Sequence, residues 1–336
     1  MKKTLVLILT LAILLCSASF AALAEGDGYV IGYIPYFFGN SWQAQALDDF
    51  IAYCESDPAI ADYVTANPDN DTDRQINMVQ NMIDSEVDAI VIQCLSDTAL
   101  IPVLEQAVEE GIVVVCKDAT VNSDMVYTMS EDDGEFGRVS AQAIVDHLGE
   151  EGGNIILIEG TAGTTTSEKR TAGAMEIFDQ HPEINIIHRA SCNYDQGLAQ
   201  STVANWLTAN EQIDAIWSQG GQMSLGIVTA YRQAGKEPPF MTSENVNGFL
   251  KYWAENADKG FDAFVVSVRP SEVVLATAMA RKILDGEDIP KLVVPDAFYI
   301  DSSNYAEYVL PDEGDDYWVA DEFPMEEVEM WIEASR

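Results

Sequence analysis

Positive charge is scarce in this 336-residue chain: 17 Lys and Arg face 56 Asp and Glu, a formal net charge of −39. A field of that sign repels phosphate backbones and excludes nucleic acid as a partner. It reads as a self-repelling soluble surface, with selection for a cationic ligand as the alternative. Histidine is rare too, and His147, His181 and His188 stand beside no nucleophile in the sequence. There is no H-E-x-x-H, no G-x-S-x-G elbow and no glycine loop ending in Gly-Lys-Ser/Thr. Carboxylate pairs abound, but at this composition they arise by chance and argue for no glycosidase-type acid and base. The expectation is a chain without catalytic residues, metal ligands or cofactor.

Long apolar runs are missing except near the start. Lys2 and Lys3 precede the run Leu5–Leu15, and Ala22-Leu23-Ala24 forms a small-x-small cleavage signal before Glu25. Residues 1–24 therefore read as a secretory signal peptide, and export to the periplasm or the outer face of the cytoplasmic membrane is expected. Cys16 would be the attachment point of a lipid anchor, but Leu15 occupies the position where a lipoprotein signal carries a small residue. Four further cysteines, Cys54, Cys94, Cys116 and Cys192, are widely spaced with no Cys-x-x-Cys. Cys94 and Cys116 end neighbouring apolar segments and read as small buried hydrophobes.

What is present is a regular beat. Strands are expected at Tyr29–Ile34, Tyr63–Asn67, Ala89–Gln93, Ile112–Val115, Met125–Met129, Asn154–Ile158, Ile184–Ala190, Ala215–Ser218, Pro239–Thr242 and Phe264–Val268. Helical patterns fall between most of them, among them Arg74–Ser85, Ser96–Glu110, Glu168–Asp179 and Ser271–Leu284. Asn40 or Ser41 is placed to cap the helix that runs to Tyr53. This alternation means βαβ units and parallel sheets, and so many strands imply two similar Rossmann-like lobes. Asp69-Asn70-Asp71-Thr72-Asp73 resembles the start of a calcium loop, but Arg74 replaces its turn glycine, and the stretch reads as a loop and helix cap. Gly160–Ser167 lacks nucleotide-loop spacing, yet its place between a strand and a helix suits ligand contact. The aromatics Tyr36, Phe37, Phe38 and Trp42 fall in and beside one loop, facing either a ligand or the core. Asp118 and the acids Glu131–Asp133 follow strand ends, at the sheet edge where open α/β folds bind ligands.

The motifs IGYIPYFFGNSW, RQINMVQNMIDSEVDAIVIQCLSDTALIPVLEQAVEEGIVVV, SEDDGEFGR, GTAGTTTSEKRTAG, IDAIWSQGGQMSLGIVTAY and VRPSEV occur in an order and spacing that resemble the type 1 periplasmic binding proteins of the ribose- and galactose-binding kind. The resemblance covers about Tyr29 to Leu284. It implies two lobes joined by three crossovers, near Glu131–Asp132, Val268–Arg269 and Val294–Asp296. The N-terminal lobe would hold residues 25–131 and 269–295, the C-terminal lobe and tail 132–268 and 296–336. It further implies a monomer that captures a small carbohydrate-like ligand and delivers it to the membrane permease of an ABC importer. A sensor presenting ligand to a chemoreceptor or histidine kinase is the related alternative, and a secreted carbohydrate-active enzyme the more distant one. Carried over by position, ligand contacts fall on Asn40, Trp42, Asp118, Glu131, Asp133, Glu168, Tyr194, Gly220, Glu244 and Val268.

The departures from that pattern shape the expected ligand. Ala119 follows Asp118 where the ribose type has Arg, Glu168 stands in place of another Arg, and Gly220-Gly221 replaces an Asn-Asp pair. The site should then be poor in basic donors, with Lys117 or Lys169 as substitutes. A polyol, an unusual monosaccharide or an amine-bearing ligand is expected rather than ribose or galactose. The acidic tail from Ala297 to Arg336 reads as a wrap over one lobe, with Trp318 and Trp331 as packing residues outside the site.

Overall fold

The computed structural model describes residues 28–118, 121–209, 212–320 and 325–335. The signal segment, Cys16 and Ala119 lie outside the described residues. Within them the chain forms two sheets. The first joins β1 (Tyr29–Ile34), β2 (Ile60–Thr65), β3 (Ala89–Ile92), β4 (Val113–Lys117), β5 (Tyr127–Met129) and β11 (Leu292–Val293), in the spatial order β11-β5-β4-β3-β1-β2. The second joins β6 (Gly153–Glu159), β7 (Ile184–Ser191), β8 (Ala215–Ser218), β9 (Phe240–Glu244), β10 (Ala263–Val266) and β12 (Tyr299–Ile300), ordered β12-β10-β9-β8-β6-β7. Every pairing is parallel except that of β10 with β12.

Each sheet repeats one plan, with the strand order reversing beside its first strand. The switch points lie between β1 and β3 and between β6 and β8, and ligands of doubly wound folds bind beyond the carboxyl ends of strands at such points. The inner strands are apolar along their whole length, as AIVI in β3, because helices cover both faces.

The helices are α1 (Ser41–Ser56), α2 (Thr72–Asp84), α3 (Ile101–Glu109), α4 (Asp133–Leu148), α5 (Thr165–Phe178), α6 (Gln196–Leu207), α7 (Gly221–Gln233), α8 (Asn247–Asn256), α9 (Glu272–Leu284) and α10 (Met325–Ala334). Asn40 caps α1, its side chain accepting from Gln43 N at 2.9 Å, and Asp71 caps α2 in the same way at 3.0 Å. Helices α4 and α5 cross closely at glycines. A Cβ on Gly137 would lie 2.0 Å from the Arg170 carbonyl, and one on Gly173 would lie 2.1 Å from that of Gly134. That close approach sets Arg170 beside the acids at the start of α4.

Three passages connect the sheets: from β5 into α4, from β10 into α9, and from β11 to β12. Sequence reasoning assigns no element between Thr242 and Phe264, where α8 lies. Val246 at the helix start has no capping side chain. The tail supplies the missing acceptors, with Asn247 N donating to the Tyr317 carbonyl at 2.7 Å and Gly248 N to that of Asp315 at 2.9 Å. The helix expected from Ser96 begins only at Ile101, after a turn that Ser96 holds through its hydroxyl.

Candidate functional site

The carboxyl edges of the two sheets face one another across a cavity of about 60 Å³, room for a compact molecule several waters in size. From the first sheet come Tyr36 and Phe37 after β1, Asn40 and Trp42 at the start of α1, Gln93 after β3 and Asp118 after β4. Gln93 organises this half. Its amide oxygen accepts from Tyr36 N at 3.2 Å and from the Gln43 side chain at 2.7 Å, and its amide nitrogen donates to Asp118. Asp118 has φ 59°, a left-handed conformation that Asp and Asn tolerate better than most residues. The turn aims its carboxylate across the edge of the sheet. Trp42 is held in place from two sides: its Nε1 donates to the Val268 carbonyl at 3.3 Å, and the Lys117 ammonium lies 4.2 Å from its ring centroid. Lys117 is itself fully buried, 4.0 Å from Glu272.

The second sheet contributes Thr166 and Arg170 of α5, Tyr194 after β7, Gly220 and Gly221 after β8, and Glu244 at the end of β9. Arg170, 3% exposed, is the hub. Its Nε donates to Asp133 at 2.8 Å, its NH1 donates to Glu244 at 2.7 Å and to the Gln219 carbonyl at 3.1 Å, and its guanidinium lies 4.1 Å from the Phe136 ring centroid. The second oxygen of Glu244 accepts from Gly221 N at 2.9 Å. Tyr194, with its hydroxyl donating to Gln219 at 3.4 Å, packs against Gly160, where a side chain would collide with its ring, and closely against Gly220. The halves meet directly where the Tyr36 and Thr166 hydroxyls lie 3.3 Å apart.

Of the positions carried over from the resemblance, Asn40, Trp42, Asp118, Tyr194, Gly220, Glu244 and Val268 line this cavity. Asp133 stands behind it, reaching it through Arg170, and Glu131 lines a neighbouring depression beside the crossovers. Glu168 departs from the expectation. It is exposed on α5 and accepts from Gly163 N at 3.2 Å. The basic residue of the site is Arg170, two positions further on, so a site poor in basic donors is not what the fold builds. Lys169 is exposed on the same helix, and Lys117 acts from beneath Trp42. Trp318 is a second departure, since this tail residue lines the cavity instead of packing away from it. Nor is the tail confined to one lobe: Lys282 of α9 pairs with Glu329 of α10 at 2.5 Å.

Asp133 and Glu244 on one guanidinium, with Asp118 and Glu131 nearby, leave an excess of negative charge in a buried place. Burial raises Asp133 to about 7, against the pull of Arg170 and with the help of Asp118. Burial likewise lifts Glu244, and lifts Glu131 to about 8 although Arg269 and Arg170 oppose it. A buried acid with a raised pKa keeps its proton while the unfolded chain has lost its own, so stability falls as pH rises between the two values. For Asp133 that window runs from the ordinary Asp value, near 4, to about 7. The ligand-free protein should therefore resist urea better at pH 5 than at pH 8, with Asp133→Asn flattening the difference. Greater resistance at pH 8 would contradict this placement of the acids.

Cys94 and Cys116 are buried thiols with their sulfurs 3.6 Å apart, and Cys54 and Cys192 are buried as well. Among the described residues no cluster of ligating side chains is arranged to hold a metal ion, and no helix is long and apolar enough to cross a membrane.

Comparison with known proteins places this geometry. The family described as "Periplasmic binding protein domain" matches residues 31–288. The chain belongs to that family. A xylitol-binding protein of Mycolicibacterium smegmatis is 26% identical over 288 residues, 83% of this chain and 80% of its own. A ribose import binding protein of Bacillus subtilis is 26% identical over 231 residues, 68% of this chain and 74% of its own. Among solved structures, an ABC transporter solute-binding protein from Thermobispora bispora superposes with a TM-score of 0.83 at 25% identity, covering 91% of this chain and 95% of that one. The two-lobed type 1 periplasmic binding protein architecture expected from the sequence is thus the one observed. This family is made up of binding proteins rather than enzymes.

Proposed function

We propose that the protein is an exported solute-binding protein that captures a small, neutral, polyhydroxylated ligand between its lobes and hands it to the permease of an ABC importer. The observation that carries this reading is the opposition of Asp118 and Glu244 across a small cavity walled by Trp42, Tyr194 and Tyr36. Carboxylates accept hydroxyl hydrogen bonds more strongly than neutral acceptors do. Aromatic faces cover the C–H faces of a sugar ring or an extended polyol. The contacts proposed are Asn40, Trp42, Asp118, Tyr194, Gly220, Glu244 and Val268, with Arg170 added and with Asp133 and Glu131 acting from behind.

Arg170 narrows the ligand class. Its charge is met by Asp133 and Glu244, so an acid finds no spare cation there. The names of the relatives, one for a polyol and one for a pentose, accord with a neutral ligand. With Gly220-Gly221 offering no side-chain polar group, a polyol or an unusual monosaccharide fits better than ribose or galactose.

The lobes we assign are residues 25–131 with 269–295, and 132–268 with 296–336. Contacts drawn from both exist together only in the closed form, so ligand shifts the protein toward closure and closure presents one surface to the permease. In this reading residues 1–24 direct export without a lipid on Cys16, and the mature chain acts as a monomer without turnover. Titration calorimetry against pentoses, hexoses, polyols and polyamines tests the ligand class. Saturable heat is expected from a polyol or monosaccharide and none from polyamines.

A further inference from the structure

The family match ends at residue 288, and Trp318 lies 30 residues beyond it. We propose that residues 310–320 form a strap joining the lobes, in which Trp318 is a wall of the ligand cavity and the latch to the first lobe. The proposal rests on the reading of that cavity as the ligand site.

The strap is anchored unequally. To the second lobe it is tied by backbone and by side-chain amides. Val319 N donates to the Asn245 carbonyl at 3.0 Å, the Asn245 side-chain amide donates back to the Val319 carbonyl, and Trp318 bridges Val246 in antiparallel fashion. Asn247 adds bonds from its side-chain nitrogen to the carbonyls of Leu310 and Gly314, at 2.8 and 3.0 Å. To the first lobe it is held by side chains of α1. Gln45 accepts from Trp318 N at 3.0 Å and donates to the Trp318 carbonyl at 3.1 Å, and the indole Nε1 donates to the Ser41 hydroxyl at 2.9 Å. The bonds to the second lobe are the more numerous, while those to α1 come from Ser41 and Gln45, so an opening molecule would carry the strap with its second lobe and release it from α1.

The space for the indole is made by sequence. A Cβ on Gly221 would lie 2.9 Å from Val246 and 3.1 Å from the Trp318 ring. Glycine at 221 therefore admits the ring against the start of α7, on the wall where the resemblance implied a polar side chain. Trp318 is 2% exposed and touches the cavity together with Asn40, Gly221 and Val268. Asn245 links this wall to a crossover, since its side-chain oxygen accepts from Val268 N at 2.9 Å.

The test compares the full chain with Ser41→Ala/Gln45→Ala and with Trp318→Ala, using xylitol and ribose as probes. Without ligand, small-angle scattering should give a larger radius of gyration for the double variant, because the closed, latched fraction of the free wild-type chain is lost with the bonds to α1. The bound probe should leave the double variant about 30- to 100-fold faster, the ratio expected for losing two or three net hydrogen bonds. Trp318→Ala should weaken probe binding about tenfold or more through the lost wall. An unchanged radius and off-rate in the double variant would overturn the latch, and unchanged affinity in Trp318→Ala would overturn the wall. If neither probe binds the wild-type chain but a radius change appears, the strap stands and the choice of ligand falls. If the radius is also unchanged, the strap falls as well.

Discussion

Replacing Arg170 with Met is expected to cost the ligand-free protein about 3–5 kcal/mol, the range for removing one partner of a buried ionic group. The guanidinium is shared by Asp133 and Glu244, bonds the Gln219 carbonyl and covers the Phe136 ring. Methionine fills part of the volume but leaves both carboxylates buried without their cation. The molecule's remedy is to take up protons, so the variant should lose most at alkaline pH and least near pH 5. A fall in melting temperature of roughly 10 °C corresponds to that cost. Adding Asp133→Asn and Glu244→Gln should return part of it, because a neutral cluster asks for no counter-charge. Melting within a degree or two of wild type at pH 8 would mean that Arg170 does not hold the second half of the site together.

Asp118→Asn is expected to lower ligand affinity about 10- to 100-fold while shifting ligand-free melting little. Asparagine keeps the shape, accepts from Gln93 as aspartate does, and tolerates the left-handed backbone at φ 59°. Only the charge goes, and a hydrogen bond to a charged group is stronger than a neutral one by about 1–2 kcal/mol. Alanine there would confound the measurement, since it adds backbone strain and strands the Gln93 amide. Affinity unchanged in Asp118→Asn, measured by calorimetry, would remove Asp118 from the contacts.

The fold was legible because the strands are short apolar runs and the breaks between them are polar and glycine-rich. Asp118 was legible as a strand end, while Trp42, Tyr194 and Glu244 came from the resemblance, and all four line one cavity. Arg170 was missed through register. The helix was expected from Glu168 and begins at Thr165, and the buried face runs Thr166, Arg170, Gly173 and Ala174 at helical spacing. That periodicity was a usable signal. Gln93 was legible only as the end of a strand; its bonds to Tyr36, Gln43 and Asp118 come from three separate elements. Trp318 carried no local signal at all. Its place depends on absent side chains at Gly221 and on partners more than 270 residues away at Ser41 and Gln45.

The central claim is that one small neutral polyhydroxylated molecule sits between the two sheets, and titration calorimetry of the wild-type chain tests it most directly. One-to-one, saturable binding of a polyol or a monosaccharide is expected, tighter than that of ribose or galactose, with no heat from polyamines. Tight binding of ribose or galactose would contradict the ligand preference. Binding of polyamines alone, or no heat from any polyol or sugar, would contradict the claim itself.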